Sequence, residues 1–382
     1  MRTIGALRRA NGRPVMREGI GRRRFVAAAA LGAAGVAAGS ASADAAEVTW
    51  RLTSSFPKSL DLLYGGAELF ARQVGAITGG RFRIDVFPPG DIVPGLGALD
   101  AVGAGTVEAC QTELDYYYGK DPAFALPTAF PFGMNAREQT AYALAGGLDA
   151  TNALLADYGA IAYPAGNTGA QMGGFFRREI RSAGDLAGLK IRAGGLAGRV
   201  LQKLGAVPAQ TPRGEIVAAL GAGTLDAVTW VGPYDDARID EGGKLQKVAP
   251  YYYYPGWWRG GSMVHVVFNK AKHDALKEEF KAALRTAALS THAQVLASYD
   301  AANPGALKKL VIGGAELRAF PQDLLEAAYK ASGEVYKEIS DANPRFKSML
   351  DAAIAFRADQ YLWWQVSEYT FDNFMIRQRA RG

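Results

Sequence analysis

Two arginines stand where they could bind an acid. Arg192 ends the short strand-like run Leu189-Lys190-Ile191, and Arg259 follows an aromatic run at 251–258. A guanidinium presents parallel N–H donors that match the two oxygens of a carboxylate, so an arginine in a cleft suits an organic acid. Glycine and proline interrupt the aromatic runs, which favours a cleft wall where the backbone approaches a ligand closely. The pattern predicts a ligand-binding cleft.

The other candidate binding residues lie in four polar and aromatic segments, at 116–118, 166–174, 229–234 and 251–259. Amide and hydroxyl groups there could hydrogen-bond a ligand, and aromatic rings could form its apolar walls. We expect the ligand to contact these side chains: Arg192, Gln171, Trp230, Arg259, Tyr117, Asn167, Thr229 and Trp257.

The sequence offers little for catalysis. It contains three histidines, and His265 lies in a strand-like run while His273 and His292 lie in helical ones. We expect all three to be structural or solvent-facing. The chain has no Gly-x-Ser-x-Gly elbow, phosphate loop, dinucleotide fingerprint or His-rich metal spacing. We therefore predict a binding protein with no catalytic residues.

The first 45 residues have the features of an export signal. Eight arginines precede and flank an apolar run rich in Ala and Gly, and small residues follow at 41–45. The sequence Gly-Arg-Arg-Arg-Phe-Val at 21–26 matches the twin-arginine pattern, which directs folded proteins across the bacterial inner membrane. Because the apolar run is too short and weak to span a membrane, we predict a signal peptide cleaved after Ala43 or Ala45.

The net charge of the chain comes from that leader. Its eight arginines and two acids account for the whole formal charge of +6, so the remainder is neutral. No basic run outside the leader supports a nucleic-acid partner. The lone Cys110 cannot form an internal disulfide, and we expect it to be reduced and buried near Val107, Ala109 and Leu114.

Alternating strand-like and helix-like segments must position these residues. Such alternation predicts mixed sheets flanked by helices. The predicted order is strand 48–53, helix 62–74, strand 81–87, helix 96–105, strand 107–111, helix 137–158 and strand 161–164, with the pattern starting again at 173 and a strand at 263–268 returning to the first half.

The chain is too long for one core, so two lobes are expected. We predict lobe 1 at 46–168 with 262–300, lobe 2 at 169–261 with 301–345, and a carboxyl-terminal helical segment at 346–382. Aromatic residues crowd the last forty positions and must be buried against the chain's own lobes or against a second subunit. The sequence leaves both alternatives open.

Several motifs together resemble the substrate-binding proteins of tripartite ATP-independent periplasmic (TRAP) transporters, and in particular the branch that binds 2-oxo acids and other monocarboxylates. The resemblance covers essentially the whole chain beyond the leader. The motifs are Ala165-Gly166-Asn167-Thr168-Gly169, Gln171-Met172-Gly173-Gly174, Leu189-Lys190-Ile191-Arg192, Leu225-Asp226-Ala227, Trp230-Val231-Gly232-Pro233-Tyr234, the aromatic run at 251–257 and Pro131-Phe132-Gly133-Met134.

The resemblance implies an α/β fold of the two-lobed periplasmic binding protein type, type II-like, with an interlobe ligand cleft, a long helix across both lobes and a helical carboxyl end. It implies that Arg192 pairs with the ligand carboxylate. It also implies a periplasmic location, transfer of the ligand to a TRAP membrane permease, and a homodimer formed through the carboxyl-terminal helices.

The same resemblance implies a metal ion held by Gln171, the Trp230 region and two glutamates. This chain departs from the pattern, because Thr229 and Arg259 occupy the glutamate positions. Hard cations prefer anionic oxygen ligands. We therefore expect no metal cofactor, with Arg259 standing roughly where the ion would be.

The ligand class stays open between a 2-oxo or 2-hydroxy acid, a dicarboxylate that uses both arginines, and a flat aromatic carboxylate stacked on tryptophan or tyrosine. Two further functions remain as alternatives at this point. One is a periplasmic sensory receptor for the same ligand, and the other is an enzyme that processes a carboxylate in the cleft.

Overall fold

The structure is a computed structural model that describes residues 46–209, 211, 213–240 and 242–379. The predicted signal peptide, including its twin-arginine motif, lies outside the described residues. Among the described helices, none is long and apolar enough to cross a membrane.

The described strands form two mixed sheets, one in each lobe. Sheet A has the spatial order β2-β1-β3-β10-β4, and sheet B has the order β11-β9-β5-β8-β6-β7. The strands are β1 Val48–Ser54, β2 Phe82–Phe87, β3 Ala109–Thr112, β4 Ala160–Asn167, β5 Gly174–Phe176, β6 Lys190–Arg192, β7 Val207–Ala209, β8 Ala227–Val228, β9 Tyr251–Tyr254, β10 Met263–Asn269 and β11 Glu316–Ala319.

Helices cover these sheets and connect their strands. The predicted α/β class is confirmed. The helices are α1 Asp61–Ile77, α2 Ala98–Gly103, α3 Ala136–Tyr142, α4 Leu148–Ala156, α5 Gly195–Lys203, α6 Ile216–Ala222, α7 Pro233–Asp236, α8 Leu245–Val248, α9 Lys270–Asp274, α10 Glu278–Ile312, α11 Gln322–Ala342, α12 Pro344–Trp364 and α13 Thr370–Arg379.

The first lobe begins with the strand, helix, strand unit that the periodicity predicts. β1 and β2 pair in parallel, and α1 joins them. Leu63, Phe70 and Val74 recur at helical spacing and are buried on one face of α1. Cys110 is a free, fully buried thiol in β3, as expected. Apolar burial, with no disulfide among the described residues, therefore stabilises this lobe.

Sheet B corrects one part of the sequence interpretation. The tyrosine run at 251–254, expected to be a cleft wall in a loop, is the inner strand β9, which pairs with β5 and β11. Tyr252 stacks on Phe175 with ring centres 4.2 Å apart, and Tyr253 donates its hydroxyl to the Ile180 carbonyl oxygen at 3.1 Å. Four successive tyrosines conceal the alternation that normally identifies a strand.

The long helix α10 ties the two lobes together. Near its start Phe280 and Leu284 pack in the core of sheet A, and near its end Leu310 packs in the core of sheet B. The helix therefore spans both lobes, in the arrangement implied by the resemblance. The chain also passes between the sheets in the two segments at 168–173 and 255–262, which we call the crossing segments.

The lobe limits predicted from sequence can be placed on these elements. The limit after residue 168 falls between β4 and β5, and the limit after residue 261 falls between β9 and β10. The limits at 300 and 345 fall inside α10 and α12, where the helix continues without a break.

The carboxyl-terminal helices carry two kinds of surface. Phe346, Met349 and Leu350 of α12 are buried in a core cluster. The segment 361–379, which comprises the end of α12, a π-helical turn at Gln365–Tyr369 and α13, forms a separate unit with exposed apolar side chains. They are Tyr361, Leu362, Trp363, Val366, Tyr369, Phe371, Phe374, Met375 and Ile376.

Two carboxyl groups are buried side by side in α7. Asp235 accepts the Tyr299 hydroxyl at 2.6 Å, and Asp236 accepts the Tyr252 hydroxyl at 2.6 Å and the Val231 amide at 2.9 Å. Burial raises the pKa of Asp235 to about 6 and that of Asp236 to about 7. The fold therefore favours the protonated carboxyl over the carboxylate at these positions.

The Asp236 pKa gives a pH-dependent stability difference. Between its ordinary pKa of 3.8 and about 7, the unfolded chain loses this proton and the folded chain keeps it, so this group makes stability fall as pH rises. Asp236→Asn is neutral and can still pair with Tyr252 and Val231. We expect its free energy of unfolding to gain roughly 2 kcal/mol on the native chain between pH 5 and pH 8.

Urea unfolding at the two pH values measures this difference. Asp351→Asn is the matched control, since its side chain is exposed on α12, and its difference from the native chain should not widen with pH. An Asp236→Asn difference that is the same at both pH values would contradict a raised pKa at this position.

Candidate ligand-binding site

Arg192 ends strand β6 in the second lobe, where β7 and β8 pair with β6 on either side. Its Nε donates to the Thr211 carbonyl oxygen at 3.0 Å, and its Nη1 donates to the Thr229 carbonyl oxygen at 3.1 Å. The side chain is partly buried. These two hydrogen bonds orient the guanidinium and leave its positive charge unneutralised.

The Trp230 ring packs against the same guanidinium. The Arg192 Cζ lies 4.4 Å from the centre of the Trp230 ring, a cation–π distance. The Trp230 loop is fixed in turn, because the Val231 carbonyl accepts the Met172 amide at 3.0 Å and the Val231 amide donates to Asp236. Trp230 Nε1 is buried and has no acceptor among the described residues.

The charge of Arg192 has no counterion in the part of the chain that the structure describes. No described carboxylate forms an ion pair with it, and three of its five N–H groups remain after the bonds to Thr211 and Thr229. Burial lowers the pKa of Arg192; Tyr116 opposes this effect, and the nearby charge of Arg259 adds to it. A partly buried cation without a partner is costly, so the site favours an anion.

Gln171 lies where the two crossing segments meet. Its Nε2 donates to Thr168 Oγ1 at 3.1 Å, and its carbonyl oxygen accepts the Gly256 amide at 3.1 Å. A Cβ atom at Gly256 would come within 2.5 Å of that carbonyl oxygen, so only glycine allows this approach. Thr168 Oγ1 also accepts the Ser262 amide at 3.0 Å. The crossing segments are therefore bonded to each other beside Gln171.

Arg259 belongs to a closed ionic cluster on the first-lobe side. Its Nη1 donates to Glu113 Oε2 at 3.2 Å and to Ser262 Oγ at 2.7 Å, and its Nη2 donates to Asp115. Ser262 Oγ in turn donates to Glu113 Oε1 at 2.6 Å. The Glu113 and Asp115 side chains are only 8% and 12% exposed. Arg259 thus already has two carboxylate partners, whereas Arg192 has none among the described residues.

Tyr116 is close enough to both arginines to feel their charges. It is 39% exposed, and burial of its surroundings raises the pKa of its phenol. Glu113 and Asp115 raise that pKa further, and Arg259 and Arg192 lower it. Arg192 of the second lobe and Arg259 on the first-lobe side therefore both lie near Tyr116.

The structure corrects the placement of Tyr117. This residue is 2% exposed, and its hydroxyl accepts the Leu99 amide at 3.1 Å and lies 3.1 Å from Thr112 Oγ1. The segment Leu114–Tyr117 is a 3₁₀ turn, in which residues three apart point the same way. Tyr117 therefore follows Leu114 into the core, and Tyr116 takes the cleft position.

Asn167 and Trp257 are also buried inside the protein. Asn167 accepts the Gly169 amide at 3.0 Å and donates to Gln139 at 2.8 Å. Trp257 stacks on Phe132 with ring centres 5.4 Å apart. Both residues shape the crossing segments from behind instead of presenting a surface to the cleft.

Thr229 positions Arg192 through the backbone. Its Oγ1 donates to the Arg192 carbonyl oxygen at 3.0 Å, and its own carbonyl accepts Arg192 Nη1. The expected set of eight residues therefore separates into three groups. Arg192, Trp230 and Thr229 contact one another, Gln171 and Arg259 lie on or beside the crossing segments, and Tyr117, Asn167 and Trp257 are buried.

Sequence reasoning missed Glu113 and Asp115, and within the candidate segment at 116–118 it chose Tyr117 instead of Tyr116. The signal that could have found the two acids is their alternation with Leu114 directly after the buried strand β3, because acids rarely follow such a strand without a partner. That their partner is Arg259, 144 positions beyond Asp115, could not be read locally.

The residues present do not fit the metal ion that the resemblance implies. A hard cation prefers carboxylate oxygens. The hydroxyl of Thr229 is directed to the Arg192 carbonyl, and the two nearby carboxylates are bound to Arg259. Across the described parts of the chain, no group of three His, Cys, Asp or Glu side chains could hold a metal.

Hydrogen bonds also join the lobes at the start of α1. Asp61 of the first lobe accepts the Tyr234 hydroxyl of the second at 2.7 Å, and Arg213 Nη1 donates to Ser59 Oγ at 3.0 Å. Arg238 approaches Asp61 to 3.8 Å. These contacts hold the two lobes together on the α1 side of the site.

Two of the three histidines have side-chain hydrogen-bond partners, and the third, His265, is buried in β10. His273 lies 2.9 Å from the Tyr163 hydroxyl, and His292 lies 2.8 Å from Thr140 Oγ1. Burial lowers the pKa of His265 to about 3, so this ring is neutral. None of the three contacts Arg192, Arg259 or Gln171 through a hydrogen bond.

The family described as bacterial extracellular solute-binding protein, family 7, matches residues 53–343. A monocarboxylate 2-oxoacid-binding periplasmic protein of Nostoc sp. strain PCC 7120 is 43% identical over 328 residues, which cover 86% of this chain and 89% of that protein.

Two solved structures are similar as well. A TRAP transporter solute-binding protein of Bordetella bronchiseptica RB50 is 42% identical with a TM-score of 0.82, over 87% of this chain and 98% of that one. It is a mixed-occupancy dimer, with copurified calcium and picolinate in one active site and the other site apo. A TRAP periplasmic solute-binding protein of Colwellia psychrerythraea, with bound calcium and pyruvate, is 30% identical with a TM-score of 0.81, over 85% and 99%.

Proposed function

Because the chain belongs to family 7 of the bacterial extracellular solute-binding proteins, we propose that its interlobe site captures a small organic carboxylate and that Arg192 anchors the acid group. The protein is a periplasmic receptor of the TRAP type and not an enzyme, like the relatives that it resembles. The ligand and the residues that hold it are the proposal.

One observation carries this function. The Arg192 guanidinium is oriented by two carbonyl oxygens and by the Trp230 ring, and no described carboxylate neutralises it. Its remaining N–H groups suffice for a two-pronged contact with a carboxylate. Trp230 also offers an aromatic face beside that contact, and Gln171 and Tyr116 offer polar groups for the rest of the ligand.

We propose a 2-oxo acid, a 2-hydroxy acid or a flat aromatic carboxylate as the ligand. The relative from Nostoc is named for 2-oxo acids, and the similar structures hold pyruvate and picolinate, which is pyridine-2-carboxylate. All of these carry one carboxylate with a second polar atom next to it. The bound receptor would then deliver the acid to the membrane permease of a TRAP transporter.

Removing the anchor should abolish high-affinity binding. Arg192→Ala removes a charge-assisted contact, and we expect the Kd for pyruvate or picolinate to rise by about 100-fold or more. Arg192→Lys keeps the charge without the planar fork and should lose about tenfold. Isothermal titration calorimetry on unfolded and refolded protein, freed of copurified ligand, measures both.

Arg181→Ala is the control, because this second-lobe arginine is 82% exposed and lies outside the site. Its Kd should equal that of the native chain. Tight binding by Arg192→Ala, with the same heat and stoichiometry as the native chain, would rule out Arg192 as the anchor.

We propose that residues 1–45 are a twin-arginine signal peptide, on the strength of the Arg22-Arg23-Arg24-Phe25-Val26 motif and the small residues that follow. The exported chain should begin at Asp44 or Ala46. Intact-mass measurement of the periplasmic protein checks this, and a chain that keeps residues 1–43 in the periplasm would contradict it.

We also propose that the protein forms a homodimer through the segment 361–379. Its side chains at 362, 363, 366 and 371 are 60–72% exposed, more apolar surface than a helix normally leaves in water. The similar Bordetella structure is a dimer. A second copy of the segment would cover this surface with matching apolar groups.

Charges on that surface should separate the dimer. Val366→Glu combined with Phe371→Glu would place carboxylates in an apolar contact, and light scattering should then give the monomer mass with ligand binding retained. Gln378→Glu, exposed in α13, is the control and should stay dimeric. A native chain that is already monomeric at micromolar concentration would contradict the dimer.

A further inference from the structure

The Arg259 cluster has the properties of a built-in cation site that a side chain fills. The guanidinium contacts two carboxylates, Glu113 and Asp115, and one hydroxyl, Ser262. An oxygen-rich pocket of this kind, with two acids, is what a hard cation would require. Here the positive charge is covalently part of the chain and cannot dissociate.

Hydrogen bonds connect this cluster to Gln171 of the proposed ligand site. Ser262, which contacts Arg259, donates its amide to Thr168 Oγ1 at 3.0 Å, and Gln171 donates to the same oxygen at 3.1 Å. The Met172 amide, next to Gln171, donates to the Val231 carbonyl at 3.0 Å, and Val231 follows the Trp230 on which Arg192 packs. A continuous series of contacts therefore connects the Arg259 cluster to the loop that holds Arg192.

We infer that Arg259 takes the place that a bound cation has in calcium-containing relatives, so that this receptor binds a monocarboxylate without a metal ion and disfavours a dicarboxylate. The inference rests on the proposed function of the site as a carboxylate receptor. The similar Bordetella and Colwellia structures contain calcium with their ligands, so this chain would differ from them in a measurable way.

Competition for ligands explains the loss of the metal. Both carboxylates near the site are engaged by Arg259, and the Thr229 hydroxyl is directed to a backbone carbonyl. A calcium ion would have to displace the guanidinium from Glu113 and Asp115 and would then be repelled by it. The fixed cation is always present, and the free one has to be captured from solution.

Charge balance explains the ligand preference. The positive charge of Arg259 is offset by Glu113 and Asp115, so Arg192 is the one arginine of the site without a carboxylate partner among the described residues. A monocarboxylate would neutralise Arg192. A dicarboxylate would bring a second negative charge close to Glu113 and Asp115, where no free cation in the described structure receives it.

The first experiment removes metal from the native full chain. Protein freed of ligand by unfolding and refolding is dialysed against EDTA in a sodium-free potassium buffer and titrated with picolinate and with pyruvate. We expect the Kd of each to change less than about threefold when about 1 mM calcium or about 100 mM sodium is added. Binding that is lost under chelation and restored by either ion would overturn the inference.

The two levels of the proposal give different results in this experiment. Metal-dependent binding refutes the role of Arg259 and leaves the carboxylate receptor intact. Failure of a panel of 2-oxo, 2-hydroxy and aromatic monocarboxylates to bind under every ionic condition refutes the receptor itself, and the inference with it.

The second experiment compares two ligands of nearly the same shape that differ in charge. Pyridine-2,3-dicarboxylate should bind about 100-fold more weakly than picolinate, while the analogue with a neutral 3-carboxamide should lose far less. The carboxamide separates the effect of the second charge from that of added size. Equal affinities for the dicarboxylate and the carboxamide would overturn the monoanion preference.

The third experiment converts the fixed cation into a third acid. Arg259→Glu would place a carboxylate beside Glu113 and Asp115, and we expect picolinate binding to weaken by more than about tenfold in EDTA and to recover at least about tenfold with millimolar calcium. Arg181→Glu makes the same charge change at an exposed site and should behave like the native chain. Calcium-independent binding by a folded Arg259→Glu protein would overturn the role of Arg259.

If Arg259→Glu does not fold, thermal unfolding of the native chain still tests the inference. A ligand or ion that binds only the folded state raises Tm. Calcium alone should leave the Tm of the native chain unchanged, while picolinate in EDTA should raise it. A calcium-induced rise in Tm with no picolinate effect in EDTA would count against the inference.

Discussion

The guanidinium of Arg192 brings a positive charge between two lobes, and no described carboxylate neutralises it. Burying such a charge is costly unless something compensates for it. The Trp230 face and two carbonyl oxygens hold the group in place without cancelling its charge. Packing and hydrogen bonds of the second lobe therefore hold one unpaired cation in place. This constraint is the physical basis for the anionic ligand that we propose.

The rest of the fold brings the opposite wall to this cation. The crossing segments are bonded to each other through Thr168 and Ser262, so their geometry is shared by both lobes. α10 packs in the cores of both sheets and fixes the distance between them. Contacts that need both lobes, such as Tyr234 with Asp61, favour the closed arrangement.

Two arginines in one site would repel each other if both were uncompensated. The structure avoids this by pairing only Arg259 with acids. The two arginines thus differ in their partners. Arg259 is paired with acids of the protein, and Arg192 is the one that we propose for the ligand. This division follows from where the acids lie and not from any difference between the arginines themselves.

The sequence by itself determined the α/β class and indicated two lobes, because these follow from periodicity and chain length. The long helix and the role proposed for Arg192 came from motifs that resemble the TRAP receptors, and α10 confirms the helix. Tertiary structure alone decided that the tyrosine run is strand β9, that Tyr117 is buried while Tyr116 is partly exposed, and that Arg259 is already paired with acids. The physical reason is that side-chain direction depends on the pitch of a single turn, and an ion pair across 144 positions depends on how the whole chain folds.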